Sequence, residues 1–158
     1  MNLFLTFIKN SKTIFMISTS HIHPMLVHFP IVLIMIGFLA EIVSLFFNKK
    51  EPCLSKIGFY LLNLGTLAAI AAWLSGSLFT SEMSGSAGEI KEIHELFASL
   101  TLGTVIVTLL FRIILKITKQ ETTNLKWIAF SLYFVATVFV SITGFYGGTL
   151  VYNYMMPL

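Results

Sequence analysis

Four histidines occur in this chain, and three of them, His21, His23 and His28, fall within the stretch HIHPMLVHFP. The fourth is His94. Neutral imidazole is a good ligand for haem iron, copper or zinc. Two imidazoles on facing helices of a bundle form an axial pair for haem b. No CxxCH sequence is present, so covalent c-type attachment is excluded. A plainer reading makes the histidines interfacial polar groups that cap helices and satisfy loop carbonyls. A mononuclear metal or proton site is a third. The choice depends on how the intervening elements place the imidazoles.

Of 158 residues, 56% are hydrophobic and only 11% charged, and the mean hydropathy is +0.89. Soluble domains carry about a quarter charged residues. Four apolar runs, 25–47, 57–78, 96–115 and 127–145, each approach the length of about 20 residues that spans a bilayer. These observations predict an all-α integral membrane domain over 21–158, a four-helix up-down-up-down bundle. Its helices are expected at about 24–47, 57–79, 87–117 and 125–146. Residues 1–20 lack the charge, core and cleavage order of a signal peptide. Phe4, Phe7, Ile8, Ile14 and Phe15 can share one helical face, which predicts an interfacial segment on the outer leaflet.

Basic residues set the orientation. Lys49, Lys50, Lys56, Arg112, Lys116, Lys119 and Lys126 fall in or beside the first and third connections. The opposite side holds Lys9, Lys12 and Lys91 against Glu82, Glu89, Glu92 and Glu95. The lysine-rich side is expected to be cytoplasmic, which puts both termini and the histidine cluster in the periplasm of a bacterial inner membrane. The net charge of +3 follows from this loop bias and implies no nucleic-acid surface. Cys53, the single cysteine, leaves no internal disulfide and is expected to stay reduced.

Local signals refine the elements. Pro24 suits a first helical position, and Pro30 frees the carbonyl of Leu26, predicting a bend. Gly65, Ala69, Ala72 and Gly76 recur at helical spacing as a small-residue packing face. Ser86 followed by Glu89 reads as a capping box opening the third helix. The glycines of TGFYGGTLVYNY are expected to loosen the fourth helix near residue 146. No strand pattern, soluble-type repeat or low-complexity segment stands out.

Two ionisable residues lie inside the apolar spans, Glu41 and Arg112. A lone charge in hydrocarbon costs several kcal/mol, so the two are expected to meet as a structural interhelical ion pair. From His23 to Glu41, and again from His94 to Arg112, is 18 residues, five turns at 3.6 per turn. His23 therefore comes level with His94, about 27 Å from the ion pair. His28 sits about 140° from Glu41 on a regular helix. Helical phase thus favours His23 as the partner of His94. Burial favours His28, one turn deeper, and unwinding at Pro30 would rotate it inward. His28 with His94 is the preferred ligand pair, with His23 as neighbour or substitute. Gly65, Gly76, Gly103 and Gly144 leave room for a flat macrocycle, and Trp73 lies at a depth to pack on it.

At HPMLVHFPIVLIMIGFLAEI and at the closing TGFYGGTLVY, the chain resembles a family of small bacterial four-helix membrane proteins of unknown function, recognised by an HPxLVHFPI opening and a GGxLVY ending. The resemblance covers about residues 21–153. His23, Pro24, His28, Phe29 and Pro30 match the opening; Gly147, Gly148, Val151 and Tyr152 match the ending; His94 matches the histidine that opens the third helix. Some relatives are fused to periplasmic c-type cytochrome modules, which implies a redox setting on the outer face.

Together these readings predict a haem b membrane subunit moving electrons between the quinone pool and a periplasmic redox partner such as a c-type cytochrome. The alternative is a non-catalytic anchor or assembly subunit of a larger envelope complex.

Overall fold

The protein is described here by a computed structural model over residues 22–47, 53–121 and 123–154. The expected interfacial segment at residues 1–20 lies outside that range. The described chain is helical: α1 (Ile22–Leu26), α2 (His28–Phe47), α3 (Cys53–Phe79), α4 (Ser86–Ile117) and α5 (Leu125–Tyr154). Among the described residues there is no strand. Helices α1 and α2 form one span interrupted at Val27, and α3, α4 and α5 supply three more, so four helical segments are long and apolar enough to cross a membrane. Helices suit that solvent because every backbone polar group is paired within the segment.

Pro30 cannot donate to Leu26, and the Nδ1 of His28 takes the carbonyl of Pro24 at 2.7 Å. Both events fall around Val27, where the helix breaks. Elsewhere the boundaries differ from expectation in two places. Gly85, at φ 65°, caps α4, with no side-chain hydrogen bond, and Ser86 enters the first turn. A conformation open to glycine thus starts α4 in place of the expected capping box. Helix α5 also runs through Gly144, Gly147 and Gly148 to Tyr154. Its glycines create close approaches to neighbouring helices rather than an end.

Helix α3 runs antiparallel to the first span: its Gly58 lies against Glu41, its Gly65 against Ile34 and its Gly76 against His23. Lipid tails are as apolar as leucine, so association depends on close packing, which small residues permit. A Cβ at Gly65 would stand 2.9 Å from Ile34. Helices α4 and α5 pair likewise, with His94 near the start of α4 against Gly147 near the end of α5. The core between the two hairpins holds Ile34, Leu62, Val105, Tyr133 and Ala136, all sealed from solvent. Buried Thr66, Thr101 and Thr108 return their hydroxyls to carbonyls one turn back. The Tyr133 hydroxyl is buried without a hydrogen-bond partner among the described residues. It rests on Gly37, where any added Cβ would overlap it.

Candidate functional site

At one end of the bundle the rings of His23 and His94 face each other, with centroids 6.2 Å apart and planes at 80°. The Nδ1 of His23 donates to the carbonyl of Ala72 at 3.0 Å and lies 3.0 Å from the Ser75 hydroxyl. The Nδ1 of His94 donates to the carbonyl of Thr143, also at 3.0 Å. A carbonyl oxygen cannot donate, so Nδ1 is the donor in each of these bonds, and in the neutral ring Nε2 then keeps its lone pair. This arrangement, one nitrogen fixed to a backbone carbonyl and the other free, is the one that orients metal-ligating histidines.

Glycine makes both contacts possible. A Cβ at Gly76 would reach 2.9 Å from the His23 ring, and one at Gly147 would reach 3.0 Å from the His94 ring. Each glycine sits one turn beyond the carbonyl that its histidine engages. The two contacts are copies of one another. Both hydrogen bonds span 49 positions, and His94 follows His23 by the same 71 positions (94 − 23) as Arg112 follows Glu41 (112 − 41). The shift extends into the core, matching Ile34 with Val105, Leu62 with Tyr133 and Ala69 with Val140, all buried. The hairpin of α1, α2 and α3 and the hairpin of α4 and α5 are therefore two versions of one unit, related by a pseudo-two-fold axis along the bundle. Such parallel repeats occur in other membrane proteins.

Sequence reasoning missed this repeat. The constant offset from the two histidines to the two glycines of GS and GG was its signal, and position-by-position identity was too low elsewhere to display it.

Two cavities flank the histidine pair. One, of about 190 Å³, lies chiefly between α2 and α5; the other, of about 340 Å³, lies chiefly between α3 and α4. His23, Trp73, His94 and Ala98 line both. The 71-residue shift converts one wall into the other: Val27 corresponds to Ala98, His28 to Ser99, Gly148 to Ser77 and Val151 to Thr80. Trp73 donates its indole N–H to Ser99 at 3.3 Å, across the mouth of the larger cavity.

The placement of the expected ligands is specific. The ring brought against His94 is that of His23, which is buried. His28 lines the smaller cavity at its rim, exposed, with Nδ1 engaged by Pro24. The histidine set against His94 is thus His23, where the sequence reading prefers His28. The break at Val27 does not turn His28 inward: the residue is exposed, with Nδ1 donating to the carbonyl of Pro24.

At the opposite end of the bundle, Arg112 Nη1 and Glu41 Oε1 form a salt bridge, with side chains 14% and 13% exposed. The carboxylate fits because Gly58 has no side chain: a Cβ there would lie 2.7 Å from Oε1. The guanidinium lies 5.7 Å from the Phe59 ring centroid, and Lys116 Nζ lies 4.4 Å from it. Because positions 41 and 112 are equivalent in the repeat, the pair bridges the pseudo-axis as the histidines do.

Among the described residues, no group of three or more histidine, cysteine, aspartate or glutamate side chains is placed to hold a metal ion. Haem iron asks for less, since the macrocycle supplies four nitrogens and the protein two. An imidazole–metal bond of about 2.0–2.1 Å, plus about 1.1 Å from nitrogen to ring centre, sets two axial rings roughly 6.2 Å apart. That separation is the one observed between His23 and His94.

Comparison with known proteins identifies one family. Residues 19–157 match the family DUF2231, described as a predicted membrane protein. The chain belongs to it. No curated protein and no solved structure matches the chain.

Proposed function

We propose that this member of the DUF2231 family is a haem b subunit that carries electrons between membrane quinol and a periplasmic redox protein. The observation that carries the reading is the His23–His94 pair, two imidazoles with protonated Nδ1, free Nε2 and the spacing of an axial set. Haem bound there would supply reversible one-electron chemistry; quinol, in becoming quinone, gives up two electrons singly and two protons. The protein's part is to hold the two rings, exclude bulk water with α1 and α5, and keep the site at one end of the bundle. Lys56, Arg112, Lys116, Lys119 and Lys126 gather at the other end. That bias supports a bacterial inner-membrane protein with its histidine end, and both termini, in the periplasm. A c-type cytochrome is the proposed acceptor.

A second reading also has an observation in its favour. The Nδ1 bonds tie α1 to α3 and α4 to α5 whether or not Nε2 binds anything, as a non-catalytic anchor or assembly subunit would require. The two separate in one experiment. Purified protein in lipid nanodiscs is mixed with a short-chain quinol, then with ferricytochrome c. The haem reading expects a b-type α-band to appear on quinol addition and to fade as the cytochrome is reduced. A chromophore that dithionite reduces and quinol does not would contradict the electron-transfer role, and a colourless protein would favour the anchor.

A further inference from the structure

The two cavities beside the histidines are equivalent in position and opposite in chemistry. The smaller is walled by Val27, Ile31, Ala69, Val140 and Val151. The larger carries Ser77, Thr80, Glu82, Lys91, Glu95 and Ser99. Among the described residues, Lys91 is the only basic one, histidine apart, that lines either cavity. Its side chain is only 8% exposed, three residues before His94 on α4, with Nζ 3.0 Å from Glu95 and 3.3 Å from Glu82. The Glu82 side chain is 96% exposed, so that contact is a surface pair contributing little and easily exchanged.

Haem b is itself two-sided, with two carboxylates on one edge and only vinyl and methyl groups on the opposite edge. His23 and His94 line both cavities, so a flat group held between their rings borders each of them. Its orientation follows from what each cavity can satisfy. Carboxylates in the smaller cavity would meet no lysine or arginine, only the rim residues His28 and Tyr152 and the hydroxyls of Thr101 and Thr143, which are already given to helix carbonyls. In the larger cavity they would meet an ammonium and three hydroxyls, and would displace Glu82 and Glu95, whose side chains are 96% and 57% exposed, into water.

We infer that the macrocycle lies across the pseudo-two-fold axis with its carboxylate edge in the α3–α4 cavity, held by Lys91 with Ser77, Thr80 and Ser99, and its apolar edge in the α2–α5 cavity. This rests on the haem reading above. The repeat supplies a symmetric slot, and divergence between its halves gives the slot a direction.

The test compares haem b with its dimethyl ester, in which both carboxylates are neutral, by titration into detergent-purified protein freed of haem. The wild type is expected to bind haem about tenfold more tightly than the ester, the difference of one charge-assisted hydrogen bond. Lys91→Gln should lose that preference by weakening haem binding while leaving ester affinity unchanged. Lys91→Arg should restore it, which separates loss of charge from damage to the fold. Equal affinities for haem and ester in the wild type, or a preference that survives Lys91→Gln, would overturn the assigned orientation and leave the histidine site standing. Failure of the wild type to bind either compound would overturn the haem reading and this inference with it.

Discussion

His23→Ala and His94→Ala each abolish low-spin haem binding, while His28→Ala retains it. This is the expected outcome when each variant is purified in detergent and scored for haem per polypeptide and for the reduced-minus-oxidised α-band. His23 and His94 are the two rings whose Nδ1 protons are fixed by Ala72 and Thr143 and whose centroids stand 6.2 Å apart. His28 is exposed, and the ring set against His94 is that of His23. Removing either ring would take away one of the two imidazoles proposed to hold the iron. Removing a residue at the rim changes only solvent access. A monodisperse elution profile for each variant separates ligand loss from unfolding. Loss of haem in His28→Ala with retention in His23→Ala would reverse the assignment.

The second large effect belongs to the other end of the axis. Glu41→Gln leaves the Arg112 guanidinium without its counter-charge, 14% exposed and against an aromatic ring. Breaking a buried pair from one side costs about 3–5 kcal/mol. Thermal aggregation in detergent should occur at a markedly lower temperature for Glu41→Gln and for Arg112→Leu. Joint replacement by leucine should recover much of the loss, because no charge is left to desolvate. The repeat adds a sharper expectation. Positions 41 and 112 are equivalent across the pseudo-axis, so the exchange Glu41→Arg with Arg112→Glu should be more stable than either reversal alone. If the exchange and both single reversals aggregate at the same temperature, the two residues do not stabilise the bundle as a pair.

Much of the fold is legible in the sequence because hydrophobic length is a one-dimensional property. Four apolar runs, broken by clusters such as NKKEP and KQETTNLK, leave little choice about helix number. Register is legible too, since 18 residues separate His23 from Glu41 and His94 from Arg112. What spacing alone does not convey is how glycine is used. Gly147 and Gly148 look like the end of a helix, yet α5 passes through them, and Gly147 is the floor beneath His94. Nor does spacing reveal that the His28 ring would bond the carbonyl of Pro24 and stay at the rim. The duplication is hidden for a related reason. Membrane packing selects on volume and on a few polar contacts, so the halves keep His with His and Gly with Gly at the site. Elsewhere Gly37 faces Thr108 and Leu62 faces Tyr133 in the alignment of the halves.

The duplication bears on function. The two hairpins bring one histidine each, His23 and His94, against one another. In this account the site is a property of the interface between repeats, positioned by Gly76 and Gly147 and braced about five turns away by Glu41 and Arg112. One iron held by both imidazoles would have their planes crossed, as the two rings are at 80°. Low-temperature electron paramagnetic resonance of the oxidised, purified protein tests this arrangement most directly. Crossed imidazoles donate to different iron d orbitals and bring them near degeneracy, so the account predicts a low-spin ferric signal dominated by one large g value. A high-spin ferric signal, or protein without stoichiometric iron, would contradict it.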